Sequence, residues 1–129
     1  MRDHAACKRI DEGVRKDNED RDEAAQENSK LDKRIPRLES QIRQKENELA
    51  GLGLAPQSRT TRRRRQDEAM AGVDASAREV ARRRLSSELQ SLRAELRSAV
   101  ARRERNIRRI QEIDTNRRFW DRQAREAGC

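Results

Sequence analysis

Tyrosine is absent from this 129-residue chain, and phenylalanine, tryptophan and histidine occur once each. Leu, Ile, Val and Phe together number only 20, too few to fill a globular core of useful size. A single His and two Cys furnish neither a nucleophile–histidine pair nor a metal-ligand set. Glycine is scarce, and no Gly-rich phosphate loop can be assembled. Carboxylates abound, but they stand beside arginines on exposed positions, where nothing raises a pKa for acid–base work. The expectation is a protein that is not an enzyme, with no cofactor and no metal. No apolar run approaches the ~20 residues that span a bilayer, and there is no signal-peptide core. A soluble, intracellular protein is therefore expected, with the cytoplasm its place. Cys7 and Cys129 are too few and too terminal for a disulfide framework. His4 and Cys7, one turn apart, read as frayed terminal residues.

What the chain has is charge: 43% of its residues are charged, with a formal net charge of +8. Arginine outnumbers lysine 27 to 5. Ala, Glu, Lys, Leu and Arg make up more than half of the chain and carry a heptad period, which favours coiled coil over disorder. The excess charge is unevenly placed. Residues 1–58 sum to −1 and residues 59–129 to +9.

Residues 76–129 read as one long, Arg-rich amphipathic helix. Ser76-Ala77-Arg78-Glu79 has the pattern of a capping box. Leu85, Leu89, Leu92 and Leu96 follow at alternating spacings of four and three, and Ile110 and Ile113 continue the stripe. Arg103 and Asn106 interrupt it. Residues 1–50 form a first arm with its own heptad, apolar at Leu31, Ile35, Leu38 and Ile42 and polar between Asp17 and Asn28. Asn28 at a core position has the look of a register device. Pro36 predicts a kink, or a break at Ile35. Gly51 and Pro56 end the arm, and residues 51–75 form a long basic connection with room for a short helix.

A helix of this length is too long for one compact globule and needs a partner along its stripe. The fold class expected is all-α: an elongated antiparallel coiled-coil hairpin that also oligomerises. With the second helix starting at Ser76, Ile42 faces Leu85, Leu38 faces Leu89, Ile35 faces Leu92 and Leu31 faces Leu96. The same register sets Ala24 against Arg103, Val14 against Ile113 and Trp120 against Cys7.

Two groups of residues are candidates for binding. Arg62, Arg63, Arg64 and Arg65, with Arg82, Arg83 and Arg84, offer guanidinium forks that suit phosphates or clustered carboxylates. Against a nucleic-acid face along the whole helix stand acids at salt-bridge spacing: Glu79–Arg83, Glu104–Arg108, Asp114–Arg118 and Asp121–Arg125. The comparison with a basic leucine zipper fails, because the leucine ladder stops after two steps and the would-be basic helix is rich in acids. The second group is Phe119 and Trp120 with Arg117, Arg118 and Arg122, an aromatic–arginine mixture typical of interface hot spots. Adjacent rings point about 100° apart on a helix, so both cannot lie on one stripe.

The function expected is a structural or adaptor subunit of a larger assembly, with protein partners that include further copies of itself. The alternative is a basic accessory protein that binds nucleic acid or another acidic surface. A stalk-like accessory of an oligomeric ATPase is a third reading, resting on shape alone.

Overall fold

The computed structural model describes the backbone of residues 2–53 and 61–129, with side chains for 2–52 and 75–129. The described elements are both helices. α1 spans His4–Gly53 and α2 spans Thr61–Ala127, and the two pack against each other as a hairpin. α1 continues through Pro36 with no break at Ile35, the alternative to the expected kink. α2 begins at Thr61, well before the capping box at Ser76, and takes in much of the expected connection. The side chains of Arg62, Arg63, Arg64 and Arg65 lie outside the described residues.

Two compact units make up the hairpin. One joins residues 1–35 to 98–129, and the other is residues 36–97. In the first, Cys7, Ile10, Ala24, Leu31, Ala99 and Ile113 are buried, while Ile35 and Ile110 are half-buried. In the second, Leu38, Ile42, Leu85 and Leu89 are buried, with Leu92 and Leu96 half-buried. Leu89, at 2% exposure, is the most enclosed of these side chains. Along α1 the buried and half-buried positions together recur every three or four residues, as an amphipathic stripe requires.

The register differs from the sequence expectation by one heptad in both units. In the first, Asn28 faces Asn106 rather than Ala99, and Trp120 lies over Gly13 rather than Cys7. In the second, Lys45 meets Glu88 at 2.9 Å, where the expected register would have set it against Arg82. Charge and polarity supply the physical reason. The expected register aligns the strongest leucine layers but opposes Lys45 with a like charge and leaves Asn28 against alanine. The observed one pairs Lys45 with Glu88 and Asn28 with Asn106, which matters more where water is partly excluded.

The ends of the first unit are tied down, not frayed. Asp3 caps α1, its Oδ1 accepting from the Ala6 amide at 3.1 Å, and its own amide donates to the Ala127 carbonyl at 3.0 Å. Gly128, at φ 75°, closes α2 in a Schellman turn: the Cys129 amide reaches the Ala124 carbonyl and the Gly128 amide that of Arg125. That reversal brings Cys129 back to Cys7, and the two form a disulfide with their Cα atoms 5.8 Å apart.

Candidate functional site

Trp120 is half-buried against α1. Its indole Nε1 donates to Asp17 Oδ2 at 3.0 Å, and its six-membered ring rests on Gly13. A methyl group at Gly13 would stand 2.5 and 2.7 Å from Trp120 Cζ2 and Cη2, so the indole reaches the α1 backbone only because residue 13 has no side chain. Val14, Asp17 and Arg21 of α1, with Ile113 and Arg117 of α2, border the niche. Phe119 takes the opposite course. It is 50% exposed and makes an edge-type contact with Trp120, with ring centroids 5.3 Å apart and planes at 63°. The pair thus divides its labour, one ring inward and one outward, as adjacent helical positions dictate.

The arginines divide in the same way. In the first unit Arg102 pairs with Glu27, Arg103 with Asp32 at 2.7 Å, Arg109 with Asp20 at 2.9 Å and Arg21 with Asp114 at 3.1 Å. These run between the helices, from α1 carboxylates to α2 guanidiniums in three of the four. Glu27 is the centre of the network: Arg102 first, then Asn106, donate to its carboxylate and hold its pKa at about 2. Comparable pairing in the second unit joins Glu46 to Arg93 at 3.3 Å, and the Lys45 ammonium holds the Glu88 carboxyl below its ordinary range. Such exposed pairs are individually weak, so their part is to fix which positions face each other more than to add stability.

Of the spaced pairs expected along α2, only Glu79–Arg83 forms, at 3.1 Å. Asp114 is drawn across to Arg21 instead, and Glu104–Arg108 and Asp121–Arg125 are open. Arg82, Arg83 and Arg84 lie near Glu79 or Glu88, at 3.7, 3.1 and 3.9 Å. By contrast Arg108, Arg118, Arg122 and Arg125 are exposed and make no ion pair among the described residues. Arg118, Arg122 and Arg125, spaced four and three apart, share one helix face beside Phe119. Protein-family models, curated proteins and solved structures give no match to this chain. The site must be read from its own chemistry.

Sequence reasoning placed Phe119, Trp120, Arg117, Arg118 and Arg122 in one turn and a half of helix but missed Gly13 and Asp17, which decide the ring that turns inward. A lone glycine within a helical pattern was the available signal, since it costs helix stability unless something packs on it. Among the described residues no group of three His, Cys, Asp or Glu is placed to hold a metal ion. No described helix is long and apolar enough to cross a membrane.

Proposed function

We propose that this chain is a non-enzymatic coiled-coil adaptor or structural subunit that docks a protein partner through the last turns of α2. The observation that carries this reading is the outward Phe119, half-exposed beside Arg118 and Arg122, with both guanidiniums free of ion pairs among the described residues. A large ring and arginine are the residue types over-represented where truncation weakens protein complexes most. Trp120 belongs to the hairpin and not to the docking face, because Asp17 and Gly13 already hold it.

The test is Phe119→Ala, followed by thermal melting and by recovery of partners from the source lysate. Unchanged melting with partners lost is the expected result. Partners retained at the parental level would refute docking at this end.

A second reading, nucleic-acid binding, draws support from the same unpaired arginines, Arg108, Arg118, Arg122 and Arg125. It predicts binding to any sequence with a steep salt dependence. The cross-helix pairing of Arg102, Arg103 and Arg109 counts against it, since those groups have carboxylate partners already. Nuclease treatment before the pull-down separates the two readings. The cytoplasmic location expected from the sequence also stays a proposal, and the Cys7–Cys129 bond favours an oxidising compartment over it.

A further inference from the structure

Val100 and Ile107 are large apolar residues left 39% and 38% exposed, on the same side of α2 and one heptad apart. Arg103 and Glu104 sit between them, so residues 100, 103, 104 and 107 form one continuous face at helical spacing. Glu104 makes no ion pair among the described residues, and the Arg108 partner expected for it is not engaged. Arg103 donates through Nε to Asp32, and a guanidinium carries further donors. The face reads apolar, basic, acidic, apolar. Reversed end to end, it becomes apolar, acidic, basic, apolar.

That pattern is its own complement under a two-fold rotation. We infer that this face is a self-association surface, on which α2 of a second copy of this chain lies antiparallel about an axis between Arg103 and Glu104. Val100 then covers Ile107 of the second copy, and Arg103 stands next to the second copy's Glu104, twice over by symmetry. A parallel pairing of the same face would set Glu104 against Glu104 and Arg103 against Arg103, two like-charge contacts in place of two favourable ones. The charge order therefore selects both the occupant and its direction. This surface is separate from Phe119 and does not depend on the docking proposed there.

Sedimentation equilibrium of the full-length, oxidised protein at micromolar concentration tests the inference. The parent is expected to be dimeric. Val100→Glu/Ile107→Glu should weaken self-association by at least ~100-fold, because four partly exposed apolar side chains lose their cover. Helicity by circular dichroism should hold, since both positions are outside the buried stripe. Glu104→Gln, an isosteric change at an exposed position, reads the direction: the antiparallel pairing weakens several-fold, and the difference from the parent shrinks in high salt. A monomeric parent, or a dimer indifferent to the double substitution, overturns the proposal. Tighter association of Glu104→Gln would mean parallel packing and would overturn it as well.

Discussion

Asn106 donates through Nδ2 to Asn28 Oδ1 at 2.9 Å, joining the two helices side chain to side chain at the level where both apolar stripes are interrupted. The same Nδ2 lies 2.9 Å from Glu27 Oε1, and Asn28 donates in turn to the Arg103 carbonyl at 3.3 Å. A polar pair of this kind lowers stability relative to leucine but penalises every other alignment.

Replacing both residues, Asn28→Leu/Asn106→Leu, should therefore raise the melting temperature while loosening the register. A slip of one heptad moves one helix about 10 Å along the other, which would carry Cys129 away from Cys7. The yield of the native disulfide after reduction and reoxidation measures this directly. Parental yield in the double variant would show that the asparagines do not set the register.

Gly13→Ala sets two effects against each other. Alanine in a helix interior gains about 0.5–1 kcal/mol over glycine, whereas overpacking typically costs about 1–3 kcal/mol. With the added carbon 2.5 Å from the indole and its N–H held by Asp17 one turn along the same helix, the second effect should win. Melting should fall and Trp120 fluorescence should shift to the red. In a Trp120→Ala background the sign should reverse and Gly13→Ala should stabilise, a double-mutant cycle with no ambiguity in its reading.

The link between Cys7 and Cys129 closes a loop with a sequence separation of 122. Loop-closure entropy for a span of this length amounts to about 5 kcal/mol at room temperature. Cys7→Ser/Cys129→Ser should melt well below the oxidised parent and coincide with the reduced parent. Equal melting of all three would show that the denatured chain is not restrained by the bond.

Acid should weaken the first unit in a defined window. Glu27 is held at about 2, against an ordinary 4.5, chiefly by Arg102 and then by Asn106. Because the folded value is the lower one, its contribution is complete above pH 4.5 and is lost as the pH falls from there towards 2. Glu27→Gln should flatten the melting curve over that window and leave its shape at neutral pH unchanged. Melting temperature measured at intervals from neutral to pH 2 gives the comparison.

The hairpin and most of its buried positions were legible in the sequence, since Leu31, Leu38, Ile42, Leu85 and Leu89 repeat at the spacing that buries one stripe of a helix. The alignment of the two stripes was not. Apolar density favours the register in which the strongest leucine layers meet, one heptad away from the observed one, so it points to the wrong alignment. The choice rests on pairs that are distant in sequence and polar: Lys45 with Glu88, Glu27 with Arg102, Asn28 with Asn106. The candidate site was legible to the same depth. Phe119 and Trp120 stood out by rarity, but the ring that turns inward depends on Gly13, which carries no chemistry of its own.

Between them the backbone and the bridge from Cys7 to Cys129 close residues 7–129 into a ring. A protease that cuts once anywhere inside the ring opens it without releasing a fragment. Such a nicked molecule keeps all of its residues and gains one water, and its two pieces part only under a reductant. Cleavage and loss of material are thereby separate events for this protein, and electrophoresis with and without thiol would tell one from the other.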